Sequence, residues 1–320
     1  MKRVTLPALL AAMVLANGSA FAQVGFPPPP PKVSPAVGVI DMHVHSHPDV
    51  FGRSMDDIDV ATLAKAKGMR GIVLKNHVVT TADRAALVMK VVPGIEVFGG
   101  IVLNKAVGGI NPAAVEWMHR MYGGRGKIVW LPTFDADKHV KTLVNKDGSG
   151  LVVAPGGKVT PEMEEILKII ARENLVLATG HVHAEEVLAV TKKAKELGVK
   201  SILVTHGLTN IPGLTMEQAK EVAAAGGMIE ICYLQFMTGP NAPFAWMRHW
   251  YEVSGAKVAE AVKAIGAKSI VLSTDLGQQG MMTHPDGIEN MIAAVKAAGV
   301  SDADIDQMLR KNPAQLLGLN

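Results

Sequence analysis

Short apolar runs alternate with amphipathic stretches from residue 37 to the end of the chain. Eight runs read as strands: 41–45, 71–75, 97–103, 128–132, 175–181, 201–206, 228–233 and 269–275. Each is followed by turn residues and a helical pattern, clearest in the stretches from Pro161, Ala184, Met216 and Gly287. Strands alternating with helices predict parallel βαβ units. Eight such units in about 280 residues fit a (β/α)8 TIM barrel better than an open doubly wound sheet. No glycine-rich phosphate loop follows the first strand, which argues against a dinucleotide-binding fold. Two insertions break the rhythm. Residues 134–160 carry the turn signals Lys146-Asp147-Gly148 and Pro155-Gly156-Gly157 and predict a β-hairpin after the fourth strand. Residues 234–246 form a proline-containing loop after the seventh. Both belong on the C-terminal face of a barrel, where substrate-shaping loops sit. A last helix near 303–309 closes the chain.

The pattern before residue 37 is different. Lys2 and Arg3 precede an apolar stretch, 6–16, and then Ala20-Phe21-Ala22, a small-x-small cleavage signature. This predicts a secretory signal peptide over 1–22, cleaved near Ala22/Gln23, and a periplasmic or secreted protein. The apolar stretch is short for a membrane anchor, and no later segment has the length of a spanning helix. Residues 23–36, with prolines from Pro27 to Pro31, read as an extended linker. The barrel is then 37–320.

Composition adds exclusions. The 320 residues are 48% hydrophobic, 19% charged and 4% aromatic, with a net charge of +3. Charge is spread along the chain without a basic block, so a basic, aromatic nucleic-acid surface is disfavoured. The single cysteine, Cys232, forms no internal disulfide, and a domain this large needs none to fold in an oxidising compartment. No interface stripe on the helices fixes an oligomeric state, and a homo-oligomer stays open.

The chemistry lies at the strand ends. His43 and His45 are two apart on the first strand, so they point the same way, roughly 6–7 Å apart. Two imidazoles on one buried face can converge on a metal ion, and imidazole suits zinc and similar ions. His181 ends the fifth strand, His206 the sixth and Asp275 the eighth. Any one of these has an ordinary structural reading. Five metal-competent side chains on four strand ends, at the rim where barrel sites form, point to a metal centre.

At this point the sequence resembles the amidohydrolase-type metal-dependent hydrolase superfamily. That superfamily has His-x-His after strand one, one histidine after each of strands five and six, and an aspartate after strand eight. More narrowly it resembles an uncharacterised group, a domain of unknown function, within it. The residues are Leu74-Lys75-Asn76-His77, Gly99-Gly100-Ile101-Val102-Leu103-Asn104 and Asp275-Leu276-Gly277-Gln278. The resemblance implies metal-dependent hydrolysis with one or two divalent ions, zinc first and manganese or iron as alternatives. Many binuclear members carry a carbamylated lysine or a glutamate after strand four. Here strand four ends Trp130-Leu131-Pro132-Thr133, and Lys75 on strand two is the nearest substitute. Lys75 then has three readings: a carbamate bridging two metals, an ammonium for an anionic substrate, or the partner of Glu230, an acid inside strand seven that needs one.

The expected mechanism is activation of water by the ion, with Asp275 accepting its proton and passing it to the leaving group. Asp41, two residues before His43, is expected on the same face as an orienter of a ligand imidazole. His47 and His183 each follow a ligand by two and read as loop or supporting residues. His77 is a further ligand or substrate contact. Arg53, Lys75, Arg84 and Lys105 near the rim suggest a small, anionic substrate, with Arg53, His77 and Asn104 as contacts. Tyr233, Phe236, Phe244 and Trp246 are candidates for an apolar wall. The leading expectation is a secreted hydrolase of an amide, lactone or ester. A phosphoester hydrolase or a metal-dependent decarboxylase fits the same ligands. A non-catalytic periplasmic metal- or ligand-binding protein is the reading from another class.

Overall fold

The computed structural model describes residues 33–319. The expected signal peptide, and the linker as far as residue 32, lie outside the described residues. Eight parallel strands run in sequence order: β1 (Ile40–Val44), β2 (Gly71–Leu74), β3 (Glu96–Val102), β4 (Gly126–Trp130), β5 (Val176–Ala178), β6 (Ser201–Val204), β7 (Met228–Cys232) and β8 (Ile270–Ser273). The ring closes just beyond the strand ends. Asp275 N–H donates to the His43 carbonyl (2.8 Å), and His45 N–H to the Leu276 carbonyl (3.0 Å). Helices alternate with the strands, so the molecule is the expected (β/α)8 barrel. Among the described residues, no helix is long and apolar enough to cross a membrane.

The helices form where caps and periodicity agree. The helix Pro161–Glu173 starts at Thr160, whose hydroxyl accepts from Met163 N–H, and ends at Asn174 in the left-handed conformation. Its Met163, Ile166, Leu167 and Ile170 are buried at helical spacing. These side chains join the shell between sheet and helices, with Ile72, Leu74, Val129 and Leu272 from the strands. A second cluster fills the barrel interior: Ile40, Met42, Val73, Phe98, Ile128, Trp130, Val176, Leu203, Met228 and Val271. Ala314, Leu316 and Leu317 of the last helix plug it from below. That C-terminal helical segment is longer than expected and runs from Asp302 through Leu317.

Three expectations need correction. The insertion after β4 is not a β-hairpin. It is a helical turn, Asp137–His139, continued by a wider turn, Val140–Val144, with a lone parallel bridge between Ala136 and Leu151. Side chains hold it instead of a ladder. Asp137 accepts from Gly150 N–H (3.1 Å), and Glu186 accepts from Val153 and Ala154 N–H (2.6 and 3.0 Å). The linker also ends earlier than residue 36. Pro35–Gly38 is a turn of the barrel unit, with Ala36 fully buried and Arg310 donating to the carbonyls of Pro35 and Val37.

The third correction concerns β1. Asp41 pairs with Ile72 and Val44 with Leu74, so three steps on β1 oppose two on β2. This is a β-bulge, and it changes the facing of every residue beyond it. Ile40 and Met42 point into the barrel, and Val44 points to the helical shell. Asp41 therefore does not share a face with His43. It lies with Ile72 on the helix side and accepts from Thr274 N–H (2.9 Å), the Thr274 hydroxyl and His43 N–H (3.1 Å). Asp41 sets the seam between β1 and β8, acting on backbone and not on an imidazole. Burial pushes its carboxyl up to about 6, against the pull of those three donors.

Candidate metal centre

Above the bulge, His43 and His45 face the barrel axis at its C-terminal end. Their Nε2 atoms lie 3.0 and 3.1 Å from the same oxygen, Asp275 Oδ1. His206 Nε2 is 3.5 Å from Asp275 Oδ2. Asp275 and His206 both adopt left-handed backbone, with φ of 54° and 56°. The strand ends thus turn sharply where their side chains enter the site. Gly277 lets the β8 loop cross β1: its φ is 118°, and a Cβ there would collide with the His45 carbonyl.

The second nitrogen of each imidazole decides what the first can do. His43 Nδ1 lies 3.3 Å from both oxygens of Glu230, a fully buried acid that also accepts from the Ser273 hydroxyl (2.8 Å). His45 Nδ1 donates to the Lys75 carbonyl (3.1 Å). Both rings therefore direct an Nε2 lone pair at the site, the arrangement that fixes metal-ligating histidines. His206 is held otherwise. Gln235 uses Oε1 to accept Cys232 N–H (3.0 Å) and aims its amide N–H at His206 Nδ1 (2.6 Å). Neutral His206 then carries its proton on Nε2, toward Asp275. His181 Nδ1 pairs with His139 Nδ1 (2.9 Å), while its Nε2 is buried with no partner among the described residues and its ring lines the cavity.

Two donor sets meet the spacing of a metal site. One is His43, His45 and Asp275; the other, deeper, is His43, His206, Glu230 and Cys232. They compete for His43. The upper set aims both Nε2 atoms at Asp275 beside the cavity that His45 and Asp275 line, whereas in the deeper set the Nδ1 atoms of His43 and His206 are already engaged by Glu230 and Gln235. The donor chemistry of the upper set fits a divalent ion.

Electrostatics follow burial. Burial alone would raise Asp275, but His43, His45 and His206 beside it hold its carboxyl well below the usual range. Burial works against charge on His43 too, yet Asp275 and Glu230 raise it. His45, His77 and His181 are pushed well down by desolvation, and His206 and His139 to about 4.

Lys75 is fully buried, with Nζ 3.0 Å from His43 Nε2 and 5.5 Å from the Trp130 ring centre. Desolvation lowers it. No Lys75–Glu230 ion pair forms among the described residues, since Glu230 is taken by His43 and Ser273. His77 donates to or accepts from Thr133 (2.9 Å) and stacks on Phe134 (4.0 Å between centroids). Asn104 does not line the cavity. Its amide clamps three loops, donating to the His77 carbonyl and Thr133 hydroxyl and accepting from Thr133 N–H. Arg84 is likewise structural, forking onto Asp57 (2.7 Å twice) and reaching the Ser46 and Pro48 carbonyls. Lys105 is exposed outside the cavity, whereas Arg53 lines it. His47 accepts from Arg53 N–H, and His183 pairs with Asp137.

The cavity encloses about 540 Å³. Trp246 is on its wall as expected, but Tyr233, Phe236 and Phe244 are not. Phe51, Phe134 and Trp250 take their place. His139 was the most informative residue missed by sequence reasoning. The available signal was a histidine on an insertion already assigned to the C-terminal face.

Residues 38–230, from β1 into β7, match the sequence profile of a family of unknown function, DUF6282. The chain belongs to that family. The match includes both histidines of β1, Lys75, His181 and His206 and stops short of Asp275. No curated protein matches the sequence. Among solved structures, the chain is similar to an organophosphorus hydrolase from Deinococcus radiodurans. The identity is 15%, 89% of this chain and 94% of that one are covered, and the TM-score is 0.58. A probable dipeptidase from Pseudomonas aeruginosa, PvdM, aligns with 12% identity over 89% and 96% of the two chains, with a TM-score of 0.61. A variant of a phosphotriesterase-like lactonase from D. radiodurans gives 14%, 90%, 98% and 0.55. At these identities the likeness is one of fold.

Proposed function

We propose that this DUF6282 protein is a divalent-metal-dependent hydrolase of a carbonyl bond, in an amide, lactone or ester. The observation that carries the reading is the convergence of His43 Nε2 and His45 Nε2 on one oxygen of Asp275, beside a cavity that His45 and Asp275 line. His181, with its unpartnered Nε2, is the candidate for a further ligand. A divalent ion held by these residues would polarise the carbonyl and make water acidic enough to attack at neutral pH. Zinc suits the donors best. The similar folds fit this reading, being named for hydrolysis of organophosphorus compounds, for a lactonase and for a dipeptidase.

The protein's own groups supply the rest. Asp275, held ionised by its histidines, accepts the proton from water and returns it to the leaving group. Glu230 and the Lys75 carbonyl engage Nδ1 of His43 and His45 and so turn each Nε2 toward the site. The Lys75 amine brings positive charge beside His43, where negative charge builds on the carbonyl oxygen. The apolar wall excludes bulk water and strengthens each of these interactions. On the N-terminal sequence alone, we place the protein outside the cytoplasm.

The test is elemental analysis of protein purified without chelators, with hydrolysis of a panel of esters, lactones and amides. At least one equivalent of zinc, manganese or iron per chain is expected. Activity should vanish with a chelator and return with the metal. Less than one equivalent, or hydrolysis indifferent to the chelator, overturns the reading.

A further inference from the structure

Arg53 combines burial, rigidity and unused donors. Its side chain is 4% exposed, and Nε donates to Asp49, itself fully buried, at 2.8 Å. Nη1 and Nη2 have no protein partner among the described residues, and the residue lines the cavity. The backbone is fixed on both sides. Arg53 N–H donates to His47 (3.1 Å), the residue bridges to Gln278 of the β8 loop, and Ser54 N–H donates to the Gly277 carbonyl (2.9 Å). Arg84 braces the start of the same loop through Ser46 and Pro48. The guanidinium carbon lies 5.7 Å from the Phe51 ring centre.

Nη1 and Nη2 open onto the cavity while Nε is fixed by Asp49, so a ligand there meets a charged donor that is already ordered. The free edge of a guanidinium is a planar two-pronged donor, matched by a carboxylate. A phosphate dianion would call for more charge than the wall provides, because the second cation, Lys75, sits against His43. Among the described residues Asp275 is the one acid on the wall, and Phe51, Phe134, Trp246 and Trp250 supply its apolar part. A volume of about 540 Å³ suits a single small molecule.

We propose that the cavity takes a molecule bearing one carboxylate on an apolar, ring-sized body, with the carboxylate held by Nη1 and Nη2 of Arg53. What becomes of that molecule rests on the hydrolase reading, but its binding does not. Arg53 is then the residue that sets specificity.

The experiment is titration of the full protein with phenylacetate and its neutral isostere phenylacetamide, read by fluorescence of the cavity tryptophans and by calorimetry. Phenylacetate should bind about tenfold or more tighter than the amide. Arg53→Gln should weaken phenylacetate on the order of 30-fold and leave phenylacetamide within about twofold. Arg53→Lys keeps a cation and loses the fork, so most of the preference should go with it. Lys105→Gln, outside the cavity, should change neither. Equal affinities in the wild type, absent phenylacetate binding, or a preference that survives both Arg53 variants overturns the proposal. If Arg53→Gln does not fold, the wild-type comparison and Arg53→Lys decide. Arg53-dependent binding without any hydrolysis would sink the hydrolase reading alone. Hydrolysis of neutral esters with no carboxylate preference would sink this one alone.

Discussion

The two ends of the barrel interior are built from the same eight strands and share almost no chemistry. The floor is Ile40, Met42, Val73, Phe98, Ile128, Val176, Leu203, Met228 and Val271, sealed by Leu316 and Leu317, with the Arg125 guanidinium against Phe98 (5.2 Å). One to four residues further along the strands stand His43, His45, Lys75, His206, Glu230 and Asp275, all buried. Trp130 marks the boundary, with the Lys75 amine 5.5 Å and the His43 ring 6.4 Å from its own ring. A closed barrel can therefore hold its stability at one end and its chemistry at the other. The polar end is tolerable because nearly every donor and acceptor there is matched, or faces the cavity.

That division can be broken at either end. The largest effect is expected at the top. Asp275→Asn should lower turnover per bound metal ion by roughly 10³-fold, the scale of a lost general base. A loss below tenfold would remove Asp275 from the proton-transfer role. The floor should respond in the opposite sense. Phe98→Ala should cost about 3–5 kcal/mol in urea unfolding, the range for deleting a buried aromatic side chain. A drop under about 1 kcal/mol would mean that the floor is not the stabilising half. The third effect sharpens the contrast through pH. His284 is fully buried, donates to the Leu276 carbonyl (2.9 Å), and burial pushes it down to about 4 from 6.5. The unfolded chain takes up this proton near 6.5 and the folded chain only near 4. Stability from this group is thus complete above pH 6.5 and lost as pH falls toward 4, about 3 kcal/mol in all. In unfolding measured across that window, His284→Gln should show a correspondingly shallower acid dependence. An identical slope would contradict the assignment.

The strand ends were legible because a parallel barrel writes each strand as a short apolar run, and a histidine or aspartate at its end stands out. His43, His45, His206 and Asp275 were found that way, and the structure brings them together. Asp41 was misread for a physical reason. Period-two alternation places it beside His43, but the β1 bulge changes the facing between them, and a bulge leaves no mark in hydrophobicity. The insertion after β4 was misread because its fold rests on single side chains, Asp137 and Glu186, reaching distant backbone. Arg53 and Arg84 both read as rim cations in sequence, with Arg53 alone expected to contact substrate. One proves to brace a loop and the other to line the cavity, a difference set by which carboxylates lie beside each.

The left-handed backbone at His206 and Asp275 has a consequence for how such a chain changes over time. Each non-glycine residue in that region carries a penalty on the order of 1 kcal/mol. Glycine or asparagine would relieve the backbone at either position. Drift under selection for folding alone would therefore tend to erase these two side chains. A lineage that keeps an imidazole and a carboxylate there is spending backbone comfort on chemistry. Replacement of both by small residues in a relative would mark a barrel that has kept its shape and given up its reaction.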